Sequence, residues 1–320
     1  MDEKKRNELK SEAFRIIAKK SAPAVCLAPG RCRNPAIDAH SVPNANTLRR
    51  LARDGHVVEL SIRHIESDPV LDFYRIGVGE ASVFQGLCAE HDARLFDPVD
   101  RLDFDLFDAR NLFLIGHRAF LRELHAKLRM LKMFGDLDQA IRRLEAIPAD
   151  ATSSAEPLIA QELHRLERTL LYKAHLDLAL EAGRWGELAH IPILLEGAKP
   201  TVAMSALYSL DEISTPTGVA KVMLNVLPRD DGVGVVFSFL ESERALIAPA
   251  LELFRVATGH YQKYLISKNI LMFCENIFFA PDFIDGLSAE QRVRILEGYN
   301  LDPSAVDVDE DDPHLYLFDE

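Results

Sequence analysis

The sequence predicts an α+β protein: a loop-rich, cross-linked N-terminal module over residues 1–105, a mainly helical body over 106–300 that contains a small antiparallel sheet, and an acidic tail over 301–320. Three observations carry this reading. Two close pairs of metal-ligating side chains fall within the first hundred residues, and two long stretches, 111–145 and 156–181, repeat apolar residues at helical spacing. Two β-branched apolar runs, 219–227 and 233–240, flank a Pro-Arg-Asp-Asp-Gly turn, which is the pattern of a β-hairpin.

With 320 residues the chain is long enough for two domains, or for one with an elaborate insertion, and either buries a sizeable core. Hydrophobic residues make up 48% and charged residues 27%, an ordinary globular balance. No uninterrupted apolar run approaches the roughly 18 residues of a membrane-spanning helix, so no membrane partner is expected. The N-terminus mixes charges of both signs and lacks the apolar core of a secretory signal, so a cytoplasmic location is expected. In that compartment the four cysteines read as thiols or metal ligands rather than disulfides. The net charge of −13 argues against a general nucleic-acid coat protein, but it is unevenly spread. Residues 1–66 hold thirteen Lys or Arg against eight Asp or Glu, whereas the remainder holds 24 against 42. The basic N-terminal region is thus a candidate nucleic-acid contact, with a solvated mixed-charge helix as the plainer alternative.

In chain order, residues 1–20 place Leu9, Phe14, Ile16 and Ile17 at helical spacing in a charged segment that Ser21 and Pro23 end. Residues 24–46 contain Pro29, Gly30, Pro35 and Pro43, a loop composition that keeps its shape only with a cross-link. Thr47 to Arg53 reads as a short helix. Val57 to Ile65 and Leu71 to Val78 read as strands across a turn at Glu66 to Pro69, and a helix begins within or just after Ser82 to Leu95. The two long helical stretches are expected to pair antiparallel across a loop at 147–156. Val202 to Leu210 is a candidate third strand beside the 219–240 hairpin, and a long helix is expected from Ala245 to Phe279. After Leu301 the tail has eight acidic residues and no Lys or Arg, while Leu315, Tyr316, Leu317 and Phe318 are candidates to dock it.

Zinc takes about four soft or borderline ligands in a tetrahedron, and chains supply them as two close pairs because a short loop holds two side chains on one ion. Cys26-Leu-Ala-Pro-Gly-Arg-Cys32 offers one pair, with Pro29 and Gly30 suited to its turn, and Cys88-Ala-Glu-His91 offers the other. Cys26, Cys32, Cys88 and His91 are therefore the candidate ligands of a structural Zn2+, the alternative being unrelated buried cysteines. Cys274, in the apolar run ILMFCENIFF, reads as a buried structural thiol. His117, His125, His164 and His175 lie on amphipathic helices and read as satisfied boundary or surface residues. No phosphate-binding P-loop and no nucleophile elbow occurs.

Asp38-Ala-His40-Ser-Val-Pro43 follows the first pair, and Asp92 directly follows the second. Over about residues 24–96 this arrangement resembles the HNH endonuclease superfamily. The resemblance implies a treble-clef, ββα-metal module scaffolded by zinc, with His40 as the general base that activates water and Asp92 as an oxygen ligand for catalytic Mg2+ or Mn2+. Ala39 stands where that family carries an acidic residue, and the asparagine expected before the second pair is absent, with Ser82 and Gln85 nearby. His40 is open to three roles: catalytic base, structural residue or surface histidine. Two functions follow. One is a metal-dependent nuclease acting on DNA or RNA; the other is a catalytically inactive zinc-binding interaction protein that recognises a protein or nucleic-acid partner.

Overall fold

The computed structural model describes residues 24–30, 32–43, 47–65, 68–100, 104–144, 156–216, 218–299 and 315–318. The helix expected over 1–20 and most of the acidic tail lie outside them. The elements run β1 (Ala39–His40), α1 (Arg49–Leu51), β2 (His56–Ile65), β3 (Asp68–Gly77), β4 (Val83–Phe84) and α2 (Ala89–Phe96). The long helices α3 (Ala109–Leu144) and α4 (Glu156–Glu181) come next, followed by four strands: β5 (Leu188–Glu196), β6 (Val202–Thr215), β7 (Gly218–Pro228) and β8 (Gly232–Leu240). Then come α5 (Arg244–Val256), α6 (Gly259–Phe273), β9 (Ile277–Phe279), α7 (Pro281–Gly286) and α8 (Ala289–Gly298).

Seven strands form one antiparallel sheet in the order β3-β2-β9-β6-β7-β8-β5. The expected small sheet within a mainly helical body is therefore corrected: the sheet is the core, and β2 and β3, from within the first 105 residues, are part of it. The expected treble-clef module is corrected as well. The chain between the two cysteine pairs goes into the central sheet through β2 and β3. Beside the cysteines, the described residues form only the two-residue ladder of β1 with β4, pairing Ala39 with Phe84 and His40 with Val83, and the short helix α2.

The hairpin expected over 219–240 is β7 and β8, with Arg229–Asp231 at its tip. Gly232 closes that turn at φ 143°, where a Cβ would meet the Leu195 carbonyl at 2.1 Å. Every residue of β8 is buried, because both faces of the sheet are covered. Met223, Leu227, Val236 and Leu240 pack against Phe113, Phe120 and Leu124 of α3 and Tyr172 and Leu176 of α4. Val222, Leu224, Val235 and Phe237 pack on the other side against α5, α6, α7 and α8, and Leu315, Leu317 and Phe318 join that layer. The two long helices do pair antiparallel, with Phe120 stacked on Tyr172 at 5.3 Å. The helix expected from Ala245 to Phe279 is divided. It breaks at Ala257–Thr258, where Gly259 takes φ 60°, and again at Cys274, after which Ile277–Phe279 becomes β9. β9 is only three residues long, yet it pairs with both β2 and β6 and so joins the N-terminal hairpin to the rest of the sheet.

Two of the histidines bear on stability. His125 on α3 is buried, with its ring against Phe84, and His190 on β5 pairs with Ser238 Oγ at 2.9 Å. Burial lowers both from 6.5 to about 4, and neighbouring arginines add to the effect. Above pH 6.5 both are neutral whether folded or unfolded and contribute no pH dependence. Below it the unfolded chain takes up protons that the native state refuses, so stability falls as the pH drops from 6.5 towards about 4. The expected slope approaches about 1.4 kcal/mol per pH unit for each of the two. Urea midpoints measured between pH 7 and pH 4 check this, and His190→Gln is expected to flatten the slope.

Candidate metal centre

The loop that carries the first cysteine pair is folded by backbone bonds to the segment before α2. Leu27 N–H donates to the Gly86 carbonyl and Ile37 N–H to the Leu87 carbonyl, each at 2.8 Å, and Gly30 makes the intervening turn at φ 80°. These bonds bring Cys26 and Cys32 to the start of α2, where Cys88 is the capping residue and His91 lies within the first turn. The ligand atoms of Cys26, Cys32, Cys88 and His91 all lie within 4.8 Å of one another. Cys32 Sγ is 3.9 Å from Cys88 Sγ, and His91 Nδ1 is 3.5 Å from Cys26 Sγ and 3.1 Å from Cys88 Sγ. A tetrahedral ion with metal–sulfur bonds of about 2.3 Å and a metal–nitrogen bond of about 2.0 Å sets edges of about 3.8 Å and about 3.5 Å. The four atoms fit such an ion, and the group can hold a metal.

The electrostatics of the cluster suit a cation. The backbone N–H of His91, at the start of α2, is the largest influence that pulls the Cys88 thiol down to about 6, so at neutral pH it is mostly thiolate. Burial raises the Cys26 thiol, while the Cys88 N–H donates to its sulfur at 3.3 Å and opposes that rise. No cysteine is in a disulfide, and Cys274 is a fully buried thiol in the core between the sheet and α6.

Comparison with protein-family models, curated proteins and solved structures returns no match.

His40 lies on β1 and Asp92 on α2, one residue after His91, and both are half-buried. His40 Nδ1 is 2.8 Å from the Ala81 carbonyl. A carbonyl only accepts, so Nδ1 carries the proton of the neutral ring and Nε2 is its basic nitrogen. Ser82 organises this corner. It holds φ 60°, a left-handed conformation rare for a residue with a Cβ, and its hydroxyl lies 3.3 Å from both the N–H and the carbonyl of Val42 and 3.4 Å from His40 Nδ1. Burial raises the Asp92 carboxyl; the Arg118 guanidinium and His40 oppose the rise, and Asp100 adds to it. Asp38, the nearest acid before His40 in the sequence, instead accepts from Gln85 Nε2 at 3.0 Å.

Arg118 and Asp100 belong to this site, and pattern reading missed both. Arg118 on α3 is 2% exposed, grips Asp100 through two bonds of 2.7 and 2.9 Å and lies 4.0 Å over the Phe96 ring. The available signal was a lone arginine inside the apolar run LFLIGHRAFL, since arginine is almost never buried without a partner. Three described arginines of the basic N-terminal region are paired within the chain. Arg50 pairs with Asp230 at the hairpin tip, Arg53 with Asp282 and Asp285, and Arg63 with Glu59, so these arginines bind the protein's own carboxylates.

Proposed function

We propose that Cys26, Cys32, Cys88 and His91 hold a structural zinc, and that His40 and Asp92 beside it form a metal-dependent phosphodiesterase site acting on DNA or RNA. One observation supports the catalytic half: His40 Nδ1 lies 2.8 Å from the Ala81 carbonyl, which favours the tautomer with Nε2 as the basic nitrogen, and Asp92 directly follows the candidate ligand His91 on α2. The order of these residues resembles the HNH superfamily. The thiolate-rich donor set with one imidazole favours zinc over magnesium or calcium, which prefer oxygen.

In this reading His40 Nε2 takes a proton from water as the water oxygen bonds to phosphorus, and the opposite P–O bond breaks with its electron pair going to the leaving oxygen, which takes a proton from solvent. Asp92 is the oxygen ligand for Mg2+ or Mn2+, and the bound ion supplies charge neutralisation at the phosphate. Arg118, held by Asp100, opposes the rise that burial imposes on the Asp92 carboxyl. The whole chain, supplied with Mg2+ or Mn2+, is expected to cut single- or double-stranded nucleic acid, read as strand breaks on a gel.

A second reading, a zinc-folded interaction protein, is favoured by Leu163, Leu170, Leu171 and Leu178, which are all exposed on α4 and offer an apolar stripe to a protein partner. Zinc-loaded protein that cuts no substrate with any divalent ion decides for this reading.

A further inference from the structure

Away from the metal centre, a cavity of about 710 Å³ opens between α3, α4 and strands β6 and β7. Its depth is set by Lys221. On β7, Met223 and Leu227 face α3 and α4 while Val222 and Leu224 face the opposite layer, so the alternation of the strand turns Lys221 towards α3 and α4. There it lies directly across from Ser209 on β6 and is only 8% exposed. A buried ammonium is costly unless something answers its charge. Among the described residues the Lys221 side chain makes no hydrogen bond and no ion pair. Asp211 and Glu243 act on it from a distance, and burial, reinforced by Lys127 of α3, lowers its pKa.

The rest of the lining has the same sign. Lys127 on α3 and Arg165 and Arg168 on α4 line the cavity with Lys221, and Asp211 is the one carboxylate among its described lining residues. Arg165 is engaged by Glu162 at 2.7 Å, which leaves Lys127, Arg168 and Lys221 as three cations whose nearest described acids are Asp211 in the lining and Glu243 beyond it. Arg168 has a place cut for it: a Cβ on Gly218, which takes φ 121°, would come within 2.8 Å of its guanidinium. The remaining described lining residues are polar His164, Thr169 and Ser209 and apolar Val219, Met272 and Phe273. A space of this size exceeds what a bare phosphate needs and lies in the range of small-molecule sites, with a few charged groups and apolar side chains to orient the ligand.

We propose that this cavity binds a ring-bearing phosphomonoester of nucleotide size, its phosphate held by Lys221, Arg168 and Lys127 and its ring against Phe273 and Met272. A dianionic phosphate supplies the charge that three cations and one lining carboxylate leave unanswered, and bidentate guanidinium contacts suit its oxygens. The site is separate from His40 and Asp92 and does not rest on the nuclease reading.

Calorimetric titration of the full chain with adenosine monophosphate, adenosine and inorganic phosphate tests it. Adenosine monophosphate is expected to bind and to raise the melting temperature, with adenosine not binding and inorganic phosphate binding at least tenfold more weakly. Lys221→Met and Arg168→Gln are each expected to weaken the mononucleotide at least tenfold. Without ligand, Lys221→Met is expected to melt at or above the wild-type temperature, since a similar apolar chain replaces an unanswered charge; a merely structural lysine would make that variant melt lower. His40→Ala is expected to keep the binding, so failure here and failure of the nuclease reading are distinguishable. No binding of the mononucleotide at millimolar concentration overturns the proposal. So does equal affinity for inorganic phosphate, or binding that neither variant changes.

Discussion

Cys88→Ser is expected to lose the zinc and to destabilise the fold by several kcal/mol, the scale on which structural zinc contributes to folding. Wild-type protein is expected to contain close to one equivalent by elemental analysis, because the four ligand atoms cluster within 4.8 Å around a single position. Serine keeps the shape of the side chain but replaces the sulfur whose pKa the start of α2 pulls down to about 6. The loop at 24–37 is held to the chain before α2 by the backbone bonds at Leu27 and Ile37, the Cys88 N–H bond to Cys26 Sγ and the packing of Leu27 and Ala28, to which the ion would add the strongest cross-link. Cys274→Ser is the informative control. Its thiol is also fully buried, so the hydroxyl is expected to lower the melting temperature through lost packing and an unpaired polar group while the zinc content stays at one. A Cys88→Ser protein that retains a full equivalent of zinc and melts at the wild-type temperature sinks the ligand assignment.

The candidate ligands were legible in the sequence because metal binding by close pairs is a local property: five residues lie between Cys26 and Cys32, and two between Cys88 and His91. The hairpins at 56–77 and 218–240 were legible for the same reason, since each strand has its partner across a short turn. What local pattern does not reveal is which hairpins share a sheet. That is decided by β9, whose residues Ile277, Phe278 and Phe279 are indistinguishable from the end of an apolar helix until β2 and β6 supply partners from more than 70 positions away. β5 was hidden by Pro192, which argues against a central strand but is tolerated here because β5 lies at the edge of the sheet. The strands of β8 carry no alternation to read, because helices cover both faces. Of the polar site, His40 and Asp92 stood beside recognisable ligands, whereas Arg118 reaches Asp100 only because α3 packs against α2, a relation that no spacing encodes.

His40→Ala is expected to lower cleavage by 10²- to 10⁴-fold, the contribution of a positioned general base, while zinc content and melting temperature stay near wild type. The separation follows from placement. His40 is held by the Ala81 carbonyl and Ser82 rather than by the cysteine cluster, so removing it takes away no candidate metal ligand. His40→Asn sharpens the test, since its amide can still donate to the Ala81 carbonyl but offers no base; it is expected to be as inactive as alanine and at least as stable. Asp92→Ala is expected to lose activity too, with partial rescue by raised Mg2+ or Mn2+ if its carboxylate recruits the ion. Cys26→Ser is expected to lose zinc, stability and activity together, which tells the scaffold from the chemistry. Release of zinc from His40→Ala would make His40 a ligand and remove the base from the mechanism. Cleavage by His40→Asn at the wild-type rate would do the same from the other side, leaving the activity to some residue other than the one that the Ala81 carbonyl orients.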